Sequence, residues 1–136
     1  MIEGISHITF IVSDLDRMSE MLKIVFDAEE IYSSDTREYS ISKEKFFMVG
    51  TLWIAIMEGE PISERTYNHV AFKIADSELD DYLNRIRSLD LEISDGRSRY
   101  KEEGRSIYFY DYDNHLFELH TGTLNQRLGF YKQPEI

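Results

Sequence analysis

The chain writes one phrase twice. HITFIVSD at residues 7–14 returns as HVAFKIAD at 69–76, each reading His, β-branched, any, Phe, any, aliphatic, any, Asp. Self-similarity at long spacing marks a duplicated supersecondary unit, and it restricts the fold more than composition does. GISHITFIV (4–12) is β-branched and alternating, so it reads as a strand. Asp14 or Asp16 then caps a helix in which Leu15, Met18, Leu22 and Val25/Phe26 share a face. AEEIYSS, EYSISK, KFFMVG and TLWIAIMEG follow as three or four short strands. In the second half TYNHVAFKIA is a strand. Asp76 or Ser77 caps a helix reaching about Leu89, with Leu79, Tyr82, Leu83 and Ile86 on one face. LEISD, RSIYFYDYD and HLFELHTG are strands, and TLNQRLGFYKQ forms a short last helix.

The expected fold class is therefore α+β. Two tandem βαβββ units, about 1–60 and 67–121, meet at ERT (64–66) after Gly59 and Pro61. A C-terminal helix over about 122–132 completes a single domain of 136 residues. The inward strand faces are expected to line one curved mixed sheet.

Composition narrows the partners. The net charge of −11, from 15 basic and 26 acidic residues, argues against nucleic acid and anionic membranes, which both select basic surfaces. No apolar run is long enough for a transmembrane helix, and MIEGISHITF does not read as a signal peptide, so a cytoplasmic protein is expected. The absence of cysteine removes disulfides, thiolate ligands and a cysteine nucleophile. An anionic small substrate would need a local cluster of positive charge or a metal.

Core packing explains Phe10 and Phe72 in the repeated phrase but not its two histidines. Alternation puts His7, Thr9 and Ile11 on one strand face and His69, Ala71 and Lys73 on the equivalent face of the second unit. A lone strand histidine is more often a satisfied structural residue; two at matched places can converge on a metal. HLFELH offers Glu118, His115 and His120 as further donors. A carboxylate between Phe117 and Leu119 either faces solvent or, if buried, needs a partner or a metal. His7, His69 and Glu118 make a two-histidine, one-carboxylate set that leaves positions open for substrate and suits Mn(II), Fe(II), Ni(II) or Zn(II). His120 is a competing ligand, better read as a partner that steadies the carboxylate.

SKEKFF (42–47), LWIAIMEGE (52–60), ERTYNHVAF (64–72), EGRSIYFYDYDNHLFELHTGTL (103–124) and QRL (126–128) together resemble the fosfomycin resistance proteins of the vicinal oxygen chelate superfamily, and most closely the FosX-type epoxide hydrolases. That resemblance implies a domain-swapped homodimer. It implies Mn(II), or another divalent metal, held by His7 of one subunit and by His69 and Glu118 of the other. The implied substrates are fosfomycin, a phosphonate epoxide, and water. Thr9 would hydrogen-bond near the oxirane oxygen, and Trp53 would wall the pocket. Tyr67, Ser106, Tyr108 and Arg127 would seat the phosphonate. Glu44, which by itself reads as part of a charged turn in Lys43-Glu44-Lys45, becomes the general base that activates water. Thiol-transferring relatives carry a lysine and a serine in a potassium-binding loop. Here RSRYKEEGRS places Ser98 and Glu102 at those positions, which favours hydrolysis, and Arg99 is the candidate replacement for the lysine charge. Arg97 and Arg105 read as solvated surface residues. The competing functions are transfer of glutathione, cysteine or bacillithiol to the same epoxide, and a non-catalytic drug-binding module.

Overall fold

The structure is a computed structural model that describes residues 1–34, 37, 40–97 and 99–134. The chain divides into two compact units, Met1–Glu64 with Tyr112–Asn114, and Arg65–Asp111 with His115–Ile136. Each unit builds its own four-stranded mixed sheet. In the first, β1 (His7–Val12), β2 (Glu29–Ser33), β3 (Glu44–Val49) and β4 (Leu52–Glu58) lie in the order β1-β4-β3-β2. In the second, β5 (His69–Lys73), β6 (Ile93–Ser94), β7 (Ser106–Tyr110) and β8 (Leu116–His120) lie in the order β5-β8-β7-β6. The pairs β1–β4 and β5–β8 are parallel and the rest antiparallel. Hydrogen bonding thus gives one sheet per unit where the sequence reading draws a single curved one. The cause is that β1 and β5 each pair with the last strand of their own unit.

Helix α1 (Leu15–Phe26) forms as its pattern dictates. Asp14 is extended and its side chain accepts the Arg17 N–H at 3.0 Å. Asp27, at φ 54°, turns the chain out of the helix at the other end. Met18, Met21, Leu22 and Val25 are almost fully buried, and the helix packs on β3 and β4, whose Phe47, Ile54 and Ile56 are likewise buried. Each such side chain contributes about 1.5–3 kcal/mol. The second unit repeats the scheme with α2 (Leu79–Ser88) on β7, burying Leu79 and Ile86. A Thr123–Gln126 capping box opens α3 (Leu124–Tyr131). No helix among the described residues is long and apolar enough to cross a membrane.

Three expectations change. EYSISK does not form a strand over its described part: Ser40–Ser42 are bends, and Ile41, its apolar residue there, is exposed, so no face is buried. Glu38 and Tyr39 lie outside the described residues. LEISD shrinks to Ile93–Ser94, and Gly96 just beyond it adopts φ 65°. Neither Asp76 nor Ser77 caps α2. They lie in a 3-10 turn, Asp76–Glu78, because the Asp76 carboxylate is taken by Arg105, whose Nε donates to it at 2.8 Å.

Candidate metal and substrate site

Strand register decides which side chains meet. In the first sheet His7 pairs with Trp53, Thr9 with Ala55 and Glu44 with Met57. Paired residues point to the same side, so His7, Thr9, Trp53, Phe46 and Glu44 share the face opposite α1. In the second sheet His69 pairs with Leu116, Ala71 with Glu118, Tyr108 with Glu118 and Ser106 with His120, again on one face. The units are thus built alike and furnished differently. Ala55 takes the place that Glu118 has in the second sheet, and Glu44 the place of Ser106.

On the first face the His7 ring stacks on Trp53 at 4.1 Å, and its Nδ1 lies 3.0 Å from the Ser6 hydroxyl, which leaves Nε2 outward. Trp53 packs edge-on against Phe46, and its indole N–H is buried without an acceptor among the described residues. Thr9 is exposed. Glu44 is buried, with 8% of its surface accessible. Its backbone is tied twice to Ser34: Glu44 N–H donates to Ser34 Oγ and Ser34 N–H to Glu44 O, both at 3.0 Å. Among the described residues, no hydrogen bond or ion pair engages its carboxylate.

On the second face His69 Nε2 lies 3.0 Å from Glu118 Oε1. His69 Nδ1 lies 2.6 Å from the Tyr67 carbonyl, which can only accept, so Nδ1 carries the proton and Nε2 presents its lone pair. Two electron-pair donors this close need a cation between them, a proton or a metal ion. Donor atoms about 2.1 Å from one metal and at right angles to each other stand about 3.0 Å apart. This donor pair therefore fits a divalent metal. Among the described residues, no group of three His, Asp or Glu side chains gathers as a complete set within the one chain.

Glu118 is buried and heavily supported. Ser106 Oγ donates to Oε2 at 2.6 Å and Arg99 Nη2 donates to the same oxygen at 3.0 Å. Tyr108, whose hydroxyl accepts from Tyr67 (3.0 Å) and Arg99 (2.6 Å), directs its own proton to Glu118. Burial alone would raise the carboxyl pKa; the Ser106 and Tyr108 hydrogen bonds, then the charges of Arg99 and His120, outweigh it and hold it below its ordinary value. Burial, followed by the contacts with Tyr67 and Glu118, pushes the Tyr108 phenol up, so it stays protonated. Burial pulls the His120 pKa down against the opposing pull of the Glu118 charge, helped by the Arg99 and Arg127 charges.

A cavity of about 530 Å³ is lined by Arg97, Arg99, Lys101 and Arg105 together with Asp95, Ser106 and Tyr108. Arg99 Nε and Nη1 are buried and lack a hydrogen-bond acceptor among the described residues, although Nη1 lies 3.7 Å from Glu103. An orphaned buried donor costs about 1–3 kcal/mol, so this guanidinium is disposed toward an anion. Arg97 and Arg105 are not merely solvated. Arg97 Nη2 donates to Glu103 at 2.7 Å and to the Tyr131 hydroxyl at 2.9 Å, and Arg105 holds Asp76. Arg127 of α3 reaches His120 Nε2 at 3.4 Å. His115 does not join the site; it bonds Asp111 at the β7–β8 turn. Ser98 lies outside the described residues, and Glu102 is exposed.

The sequence reading missed Glu103. It is 1% exposed and binds Arg97, the Tyr131 hydroxyl (2.6 Å) and the Tyr100 N–H (3.0 Å). Nothing in the run Lys101-Glu102-Glu103 distinguishes it from its exposed neighbour. The Arg97 hydrogen bond, then those of Tyr131 and Tyr100, lower its pKa from 4.5 to about 2. A folded-state pKa below the unfolded one means stability that is present above about pH 4.5 and lost as pH falls toward 2. Thermal melts across that window should separate wild type from Glu103→Gln, with the variant less stable at pH 5 and the difference vanishing near pH 2. Parallel curves would remove Glu103 from the acid response.

Comparison with known proteins bears on what this face does. The family model for the glyoxalase/bleomycin resistance protein/dioxygenase superfamily matches residues 4–119. The fosfomycin resistance protein FosX of Listeria innocua is 62% identical over 131 residues, covering 96% of this chain and 98% of the relative. The chain belongs to the FosX family of fosfomycin resistance proteins. A FosX crystal structure from Listeria monocytogenes, a glutamate-to-glutamine variant complexed with Mn(II) and 1S,2S-dihydroxypropylphosphonic acid, superposes with a TM-score of 0.88. It is 57% identical and covers 96% of this chain and 99% of that one. At greater distance, the metallothiol transferase FosB of Staphylococcus haemolyticus is 36% identical over 139 residues, 99% of this chain and 95% of the relative. The FosX relatives therefore match this chain much more closely than the FosB protein does.

Proposed function

We propose that this chain hydrolyses the epoxide of fosfomycin to the vicinal diol phosphonate and so confers resistance, acting in the cytoplasm as a homodimer. The observation that carries the reading is the His69–Glu118 pair, 3.0 Å apart with the far atom of each already hydrogen-bonded. His69, Glu118 and His7 hold Mn(II), with His7 supplied by the second copy. Bound Mn(II) supplies Lewis-acid stabilisation of the negative charge that grows on the departing ring oxygen.

The chain's own groups do the rest. Glu44 takes a proton from water as the water oxygen bonds to the oxirane carbon next to phosphorus. The bond from that carbon to the ring oxygen breaks, and the freed oxygen gains a proton to complete the diol. Backside attack requires base and leaving oxygen on opposite sides of the carbon, which suits a base on a different strand from the carboxylate ligand. Thr9 hydrogen-bonds near the ring oxygen. Trp53 walls the pocket. Arg99, whose Nε and Nη1 lack a hydrogen-bond acceptor among the described residues, takes the phosphonate with Arg127, and Tyr67, Ser106 and Tyr108 line the place beside them. Guanidinium groups match a phosphonate's oxygens two at a time, which a lysine cannot do.

Phosphorus NMR of fosfomycin with Mn(II)-loaded protein tests this, first without thiol and then with glutathione or cysteine. A diol signal in the thiol-free sample is expected. Product only with thiol would make the chain a transferase, and no product in either would leave a binding module.

A further inference from the structure

The structure assigns to His120 a positioning role: acting through Ser106, it fixes which oxygen of Glu118 is free to bind metal. The inference rests on the metal reading above. Glu118 has two oxygens with different surroundings. Oε2 receives Ser106 Oγ at 2.6 Å and Arg99 Nη2 at 3.0 Å, while Oε1 faces His69 Nε2. A carboxylate oxygen holding two charge-matched or hydroxyl donors has little left for a cation, so Glu118 presents one ligand oxygen. One-oxygen ligation leaves a coordination position that a two-oxygen carboxylate would occupy.

Ser106 has one proton and gives it to Glu118. Its 2.7 Å contact with His120 Nδ1 must then run the other way, with Nδ1–H donating to the serine oxygen. Arg127 Nη2, which can only donate, lies 3.4 Å from Nε2, so the lone pair of the ring is on that atom. Donor direction is therefore set at every link from Arg127 to His120, Ser106 and Glu118. A Cβ at residue 122 would stand 2.3 Å from the Glu103 carbonyl oxygen, backbone that cannot give way, and 2.7 Å from His120 Nε2. Gly122 thus lets the chain pass close to Glu103 beside the imidazole.

The test is Mn(II) affinity in the absence of fosfomycin, followed by the loss of the free-ion EPR signal on titration. His120→Leu removes the donor to Ser106 and should weaken Mn(II) binding about 10–100-fold, the usual cost of losing a group that orients a ligand. His120→Asn places an amide N–H near the position of Nδ1 and should recover most of the loss. Leucine binding like wild type would overturn the assignment, as would asparagine binding no better than leucine, since bulk rather than the hydrogen bond would then matter. If the leucine variant fails to fold, His120→Gln, whose amide lies near Nε2 instead, takes its place with the same expected weakening. Wild type that binds no Mn(II) would remove the metal reading itself, a result distinct from failure of the His120 role.

Discussion

Glu44→Gln should bind Mn(II) as the wild type does and lose fosfomycin hydration by a factor of about 10²–10⁴, the usual range for removing a positioned general base. Glutamine matches glutamate in shape but cannot take a proton from water. The exchange should leave the fold intact, because the contacts fixing this residue are made by its backbone with Ser34 and not by its side chain. Glu44 is 8% exposed as a residue at the start of β3, and no hydrogen bond or ion pair engages its carboxylate among the described residues. Steady-state hydration by phosphorus NMR, an EPR titration of Mn(II) and a thermal melt check the three parts together. Hydration persisting near the wild-type rate would assign the base to another group.

Glu118→Ala should abolish Mn(II) binding and also destabilise the metal-free protein by about 1–3 kcal/mol, the usual cost of leaving a buried donor without its acceptor. The second effect follows from Arg99, whose side chain is 10% exposed and whose Nη2 would lose its carboxylate. Ser106 would lose its acceptor too. Glu118→Gln separates the effects: the amide oxygen still accepts from Ser106 or Arg99, so stability should be partly restored while metal affinity stays low. Urea unfolding of the metal-free proteins gives the stability, and the Mn(II) titration the affinity. An alanine variant as stable as wild type would show that Arg99 does not depend on Glu118. One that still bound Mn(II) would place the carboxylate ligand elsewhere.

The parts of this molecule legible in the sequence are those set by local periodicity. The helix after Asp14 and the strands opening at His7 and His69 follow from spacing and capping alone. Alternation also put Glu118 on the same side of β8 as His120. Register was not legible. Whether Ser106 and Tyr108 stand beside Glu118 depends on the β7–β8 turn, where Asn114 adopts φ 69° and Asp111 binds the His115 amide and ring. A shift of one residue there would send both hydroxyls to the α2 side. Capping of α2 failed as an expectation because a distant arginine outbid the helix for Asp76. Glu44 could be singled out only by resemblance, since Lys43-Glu44-Lys45 has the composition of a solvated turn and its burial comes from pairing with Ser34 and β4.

The duplication is symmetric in its histidines and asymmetric in its carboxylate. Ala55 stands in β4 where Glu118 stands in β8. On the ligand set proposed above, glutamate at both places would offer donors for two ions, whereas Ala55 leaves enough for one metal equivalent per polypeptide. The same proposal divides the labour: the second sheet would hold the ion, and the first, without a carboxylate at residue 55, carries Glu44 in the place where its twin carries Ser106.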